Sequence, residues 1–183
     1  FTLSDTALKA GDNATVTLVF SEAIASFSSS ADITVANGTL ATMTSTDNIT
    51  WRGTFTPTAN TEDASNTLSL STSYSDPAGN DGPAATTANY EVETLAPTVS
   101  SFTLSDTALK AGDNATVTLV FSEKVTSFSS STDITVASGT LATMTSTDNI
   151  SWTGTFTPTA DIEDTINTLS MDTSYSDPAG NLG

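Results

Sequence analysis

The chain has 183 residues, of which 21 are acidic and 4 basic, with neither cysteine nor histidine. The formal charge of −17 argues against nucleic acid and anionic membrane surfaces as partners. The missing cysteines exclude disulfides and thiolate chemistry, and no apolar run approaches the roughly 20 residues of a membrane helix, so we expect no membrane insertion by this segment.

The sequence repeats itself at an offset of 101 residues: segment 1–20 returns unchanged as 102–121, and segment 73–80 returns as 174–181. A period of this length fits a whole domain in tandem rather than a solenoid unit. We therefore predict two domains, 1–95 and 96–183. The second domain as given stops before any equivalent of 86–94, so its expected last strand is missing from the given sequence.

Alternation of apolar and polar residues predicts strands along each copy. In the first copy they lie before Asp5 and at 14–20, 32–37, 39–46, 49–57, 66–75 and 86–94. Apolar residues such as Val16 and Leu18 share one face, threonines dominate the other, and no stretch has helical periodicity. Short strands with regular turns in about 100 residues predict an all-β fold of two tandem immunoglobulin-like β-sandwich domains.

Strand direction sorts the connecting loops into two groups. Loops 21–32, 46–48 and 76–83 are expected at the end of the domain where the chain enters, and their equivalents in the second copy are 122–133, 147–149 and 177–183. Loops 5–13, 37–38 and 58–65 are expected at the opposite end, where the chain exits. The linker 91–97 then leads from the exit end of one domain to the other end of the next.

Catalysis has few candidate residues. With no histidine and no cysteine, general base chemistry at neutral pH would fall to carboxylates such as the pair Glu62 and Asp63. Two carboxylates can cleave a glycoside, but this pair lies in a loop of a small sandwich, where a deep cleft is not expected. The sequence therefore predicts no enzyme, with no catalytic or cofactor-binding residue.

A divalent cation is the better candidate ligand. Glu93 of the linker is expected beside Glu123, Asp177 and Asn181, and four oxygen donors from three segments suit Ca²⁺. The alternative is that Asp177 and Asn181 only cap their own turn while Glu123 is solvated. The corresponding residues of the first copy, and a weaker candidate at the exit end, complete the predicted metal ligands: Glu22, Asp76, Asn80 and Asp63, the last repeated as Asp164.

Several motifs in order along the chain resemble the bacterial Ig-like repeats of giant RTX-type and biofilm-associated adhesins. They are SDTALKAGD from Ser4, VFSE from Val19, TFTPTA from Thr54, YSDPAGN from Tyr74 and LAPTV from Leu95. The resemblance implies tandem extender modules of a cell-surface adhesin, type I secretion, retention at the outer membrane, and interdomain Ca²⁺ that stiffens the stalk. The partners it implies are neighbouring repeats of the same chain, with the segment itself monomeric.

Two functions remain open from the sequence. In the first, the repeats are mechanical spacers that project a distal binding domain from the cell. In the second, the repeats themselves bind a glycan, a surface or a neighbouring adhesin through their serine- and threonine-rich faces. The aromatic residues favour the first, because Trp51 and most others fall on inward positions and leave few platforms for stacking against sugars.

Overall fold

The structure, a computed structural model that describes residues 1–183, contains two compact units, Phe1–Leu95 and Ala96–Gly183. Almost all of its regular structure is β-strand, which confirms the predicted fold class. None of its helices has the length and apolar character needed to cross a membrane.

The first unit has ten short strands and one helical turn. In chain order they are β1 (Thr2–Leu3), β2 (Ala7–Leu8), β3 (Ala14–Val19), α1 (Ser29–Asp32), β4 (Ile33–Val35), β5 (Gly38–Leu40), β6 (Thr50–Pro57), β7 (Glu62–Asn66), β8 (Leu68–Leu70), β9 (Ala85–Thr86) and β10 (Tyr90–Glu93). One sheet has the order β1-β3-β6-β5, and the others are β4-β8-β9 and β2-β10-β7. The last strand, β10, runs parallel to β2 and antiparallel to β7.

The core of the first unit follows the predicted alternation. Val16 and Leu18 of β3 are buried, whereas the intervening threonines are not. At one end of the core the rings of Trp51 and Phe27 lie 5.0 Å apart, and Phe20 lies 5.5 Å from Phe27 and 4.9 Å from Tyr74. This chain of aromatic contacts packs the tryptophan into the sandwich without any disulfide.

Three predicted strands differ from the observed ones, and two observed strands, β2 and β7, lie within the predicted loops 5–13 and 58–65. The strand expected at 86–94 is divided into β9, which pairs with β8, and β10, which pairs with β2 and β7. The strand expected at 39–46 ends at Leu40, because the chain then turns inward to bury Met43, whose N–H donates to Ser29 Oγ at 3.0 Å. The strand expected at 66–75 ends at Leu70 because the next residues bend toward Asp32, which accepts the Ser71 N–H through its carbonyl. The α1 turn was not predicted, since four residues are too few to show a period.

The loops of the first unit group as expected. At one end, the Ile24 N–H donates to the carbonyl of Asn48 and the Ala25 N–H to that of Ser75. At the other end, Asn37 Nδ2 donates to Asp63 Oδ2 at 2.7 Å. These bonds confirm that three loops meet near the start of the unit and others near its exit.

The second unit repeats this plan with fewer strands. They are β11 (Val99–Leu104), β12 (Ala115–Phe121), α2 (Ser130–Asp133), β13 (Ile134–Val136), β14 (Gly139–Leu141), β15 (Ser151–Pro158) and β16 (Leu169–Met171). The main sheet, β11-β12-β15-β14, matches that of the first unit, and β13 pairs with β16. No strand of this unit corresponds to β2, β7, β9 or β10.

Candidate metal site

The turn that carries Asp177 and Asn181 is tightly closed. Asp177 is 1% exposed and Asn181 is 3% exposed, which is unusual for such polar side chains. Asp177 Oδ1 accepts the N–H groups of Gly180 at 2.6 Å and Asn181 at 2.9 Å, and its Oδ2 accepts Asn181 Nδ2 at 2.8 Å. The carboxylate is therefore held in one orientation before any ligand arrives.

A second carboxylate of the same unit approaches this turn. Glu123 follows β12, is half-buried, and places a carboxylate oxygen within 4.8 Å of one from Asp177. Two ionised carboxylates at that separation repel by about 3–4 kcal/mol at an effective dielectric constant near 20. A cation between them, or a proton shared by them, removes this repulsion. The pair is thus chemically suited to a hard cation such as Ca²⁺.

The start of the second unit covers this turn. Thr98 and Ser122 exchange two hydrogen bonds, from the Thr98 N–H to Ser122 Oγ and from the Ser122 N–H to the Thr98 carbonyl. Pro97 is fully buried, and its carbonyl oxygen lies 2.6 Å from where a Cβ on Gly183 would be. The lead-in segment therefore runs along the closing end of the 177–183 turn and helps to exclude water from it.

The same turn in the first unit is more open. Asp76 is half-buried and Asn80 is exposed, although the sequence around them is identical to that of the second unit. Hydrogen bonds from the Asn80 side chain and backbone, with lesser ones from the Ala78 and Gly79 backbones, hold the pKa of Asp76 below its ordinary value, although burial acts in the opposite direction. Glu22, the equivalent of Glu123, is exposed. The hydrogen bonds within this turn therefore form in both units from the same local sequence, whereas the burial of its aspartate differs between the units.

Glu93 lies at the end of the first unit. It is the last residue of β10, is half-buried, and accepts the Leu95 N–H at its Oε1 at 3.1 Å. The next residue, Thr94, is buried and donates to the carbonyl of Thr58 at 2.7 Å, while its Oγ1 accepts the Thr61 N–H. These hydrogen bonds hold the start of the linker against the 58–61 segment of the first unit. The assignment of Glu93 as a metal ligand stays a prediction.

Asp63, the candidate at the exit end, has a structural use. Its two carboxylate oxygens accept hydrogen bonds from Asn37 Nδ2 and from the Ser65 N–H. Its equivalent Asp164 is exposed and accepts the N–H of Ile166 at 3.0 Å. Asp63 lies within β7 rather than in the loop expected from the sequence, whereas Asp164 bonds the backbone of its own loop. The metal role of both carboxylates stays a prediction.

Sequence reasoning missed one buried carboxylate in each unit, Asp32 and Asp133. Asp133 accepts the Ser129 N–H at 2.7 Å and the hydroxyls of Thr132 and Ser174. Burial raises the pKa of this carboxyl, but the three hydrogen bonds outweigh it and leave the pKa below its ordinary value. The missed signal was an acid directly before an apolar strand and after a run of serines. These carboxylates tie α1 and α2 to neighbouring loops.

The family model of the bacterial Ig-like domain matches the chain twice, at residues 1–92 and 93–183. The chain belongs to this family. Its members are generally structural, non-enzymatic domains and are typically extracellular or at the cell surface. A search of curated proteins found no significant match, and neither did a search of solved structures.

Proposed function

We propose that the chain is an extender module of a bacterial cell-surface adhesin, held at the outer membrane and projecting a distal binding domain. The observation that carries this proposal is the tandem match of one structural family to the whole chain. Two domains with nearly the same sequence supply length rather than two different activities. Each adds on the order of 40 Å to a stalk.

We further propose that Ca²⁺ stiffens the joint between the repeats. The proposed ligands are Glu93, Glu123, Asp177 and the side-chain oxygen of Asn181, with backbone carbonyls and water completing the six to eight oxygens that Ca²⁺ takes. Support comes from the approach of Glu123 to Asp177 and from the burial of Asp177. A bound cation would offset the repulsion between these acids, and Glu93 would tie it to the linker.

The packing of the aromatic side chains supports a spacer rather than a repeat that binds glycans. Phe55 and Tyr90 are fully buried, and the half-buried Trp51 packs edge-on against Phe27. Stacking of a sugar ring needs an exposed aromatic face. The threonines of the outer faces are what any solvated strand carries.

We expect the chain to give no reproducible binding on a glycan array at micromolar concentration, with or without Ca²⁺. A purified lectin domain on the same array serves as the positive control. The array is also read in about 0.5 M salt, which screens nonspecific attraction between surface charges. Reproducible hits that survive at this salt concentration would contradict the spacer proposal and favour a binding repeat.

A further inference from the structure

The turn between β4 and β5 contains Asn37 followed by Gly38, the one asparagine–glycine pair in the sequence. An asparagine before glycine is prone to deamidation, because glycine has no side chain to hinder attack of its backbone nitrogen on the asparagine Cγ. The second unit has Ser138 before Gly139 at the same position and so has no side-chain amide there. The two units therefore share this turn but differ in its chemistry.

Backbone conformation and packing each account for one residue of the pair. Asn37 has a φ of 47°, in the left-handed region where asparagine is among the most favourable residues after glycine. A Cβ on Gly38 would collide with the Phe55 ring and would lie 2.8 Å from the Thr56 carbonyl oxygen. The reactive dipeptide therefore follows from what the fold requires at these two positions.

Two acceptors on β7 hold the side-chain amide of Asn37. Its Nδ2 donates to Asp63 Oδ2 and to Asn66 Oδ1, each at 2.7 Å, and we call these two hydrogen bonds the Asn37 latch. Asn66 uses its own Nδ2 to donate to the carbonyls of Asp63 and Tyr90, so its oxygen is the atom that faces Asn37. Because both partners act as acceptors, position 37 must supply a donor.

The latch joins elements of two different sheets and limits the motion of Asn37. Strand β5 belongs to the sheet β1-β3-β6-β5, whereas β7 belongs to the sheet β2-β10-β7. The Asn37 carbonyl also accepts the Thr58 N–H at 2.9 Å. With its amide and its carbonyl both bonded, Asn37 is not free to bring its Cγ to the Gly38 nitrogen. Reaction therefore depends on the population of molecules in which the turn has opened.

We propose that Asn37 is a deamidation site that the folded first unit protects, and that its deamidation breaks the latch irreversibly. In the opened turn the Gly38 nitrogen loses its proton and forms a bond to the Asn37 Cγ. The bond from Cγ to Nδ2 breaks, and the nitrogen leaves as ammonia with that proton. Water then adds to the resulting succinimide ring and opens it to aspartate or isoaspartate.

The product cannot form the latch again. A carboxylate at position 37 only accepts hydrogen bonds when it is ionised, yet it faces the Asp63 carboxylate and the Asn66 oxygen. Two donated hydrogen bonds are lost, and repulsion between two carboxylates is added. Isoaspartate also inserts a methylene into the main chain between β4 and β5. The first unit is therefore weakened permanently by the reaction, whereas Ser138 exempts the second unit.

The rate is tested by incubating the 183-residue chain in mildly alkaline buffer and mapping its peptides by mass spectrometry. We expect Asn37 in the folded chain to deamidate about 100-fold more slowly than in a capped peptide of residues 34–41 or in the chain held in urea. Asn48 is the internal control and is expected to stay intact, since it also has a positive φ but precedes the branched Ile49. Equal rates in the folded chain and the peptide, or no reaction in the peptide, would overturn the proposal.

Two variants test whether the latch itself gives the protection. Asp63→Ala removes one acceptor and is expected to raise the rate in the folded chain about 10-fold. Glu62→Ala removes the same charge from the exposed neighbouring position of β7 and is expected to leave the rate unchanged. Urea unfolding of each variant reports whether its first unit is folded at the start. Equal deamidation rates in the two folded variants would show that the latch does not protect Asn37.

The effect of the product is measured with Asn37→Asp, which makes the aspartate directly. Asn37→Ser is the matched control, because serine occupies this position in the second unit. In a Trp152→Phe background, where Trp51 reports on the first unit, Asn37→Asp is expected to lower the urea midpoint by about 1 M more than Asn37→Ser. Equal midpoints for the two variants would contradict the proposed loss of the latch.

Discussion

Replacing Tyr90 by alanine is expected to lower the free energy of unfolding of the first unit by about 4 kcal/mol. The side chain is fully buried, its ring packs on Phe55, and its hydroxyl donates to the Ala36 carbonyl. A domain of this size has a total stability of about 5–15 kcal/mol, so the loss is severe. Urea unfolding in a Trp152→Phe background, where Trp51 fluorescence reports on the first unit, measures it.

Tyr90→Phe is the matched control, since it keeps the ring and removes only one hydrogen bond, at a cost of about 1 kcal/mol. Burial raises the pKa of Tyr90 to about 12, with the Ala36 hydrogen bond opposing and the charge of Asp63 adding to the rise. This contribution to stability is complete below pH 10 and is lost as the pH rises toward 12, and Tyr90→Phe removes that loss. A cost below 1 kcal/mol for Tyr90→Ala would contradict the central position of β10.

Calcium is expected to stabilise the chain. The effect of Glu123→Gln on the unfolding temperature is expected to be a decrease in Ca²⁺ and no change or an increase in chelator. At a Ca²⁺ concentration of about 100 times Kd, binding to the folded state adds about 2.7 kcal/mol, or a rise of several degrees in Tm. The variant removes a carboxylate ligand and so loses most of that gain. In chelator, however, the same variant relieves the repulsion between Glu123 and Asp177 and is expected to unfold at the same or a higher temperature.

Glu22→Gln is the matched control for Glu123→Gln, because it makes the same chemical change at the equivalent, exposed position of the first unit. It is expected to leave the calcium-dependent gain intact. Scanning calorimetry of the chain and both variants, each with Ca²⁺ and with chelator, gives the six values that are needed. Equal responses of the two variants to Ca²⁺ would exclude Glu123 as a ligand.

The sandwich could be predicted because its signals are local. Alternation placed Val16 and Leu18 inside, and turn residues such as Asn37 and Gly38 marked strand ends. Where tertiary contacts override the alternation, prediction failed. Met43 turns inward because Ser29 of α1 offers its Oγ to the Met43 N–H, and no pattern in 39–46 shows that.

The candidate site was predictable only as a set of residues. Direction and loop order placed Glu123 and Asp177 at one end of the domain, and the structure brings their carboxylates together. The burial of Asp177 was not predictable, because the identical turn around Asp76 is more open. The identity of the two turns means that no pattern within 174–181 could have indicated the difference.

Small-angle scattering of the chain in Ca²⁺ and in chelator tests the central claim most directly, that the repeats form a stalk stiffened by the cation. With Ca²⁺ we predict a narrow distribution of distances with a maximum near the sum of two domain lengths, about 80 Å. In chelator we predict a broader distribution with a shorter mean, and Glu123→Gln is expected to show the broad form in both. Superimposable curves with and without Ca²⁺ would contradict the account.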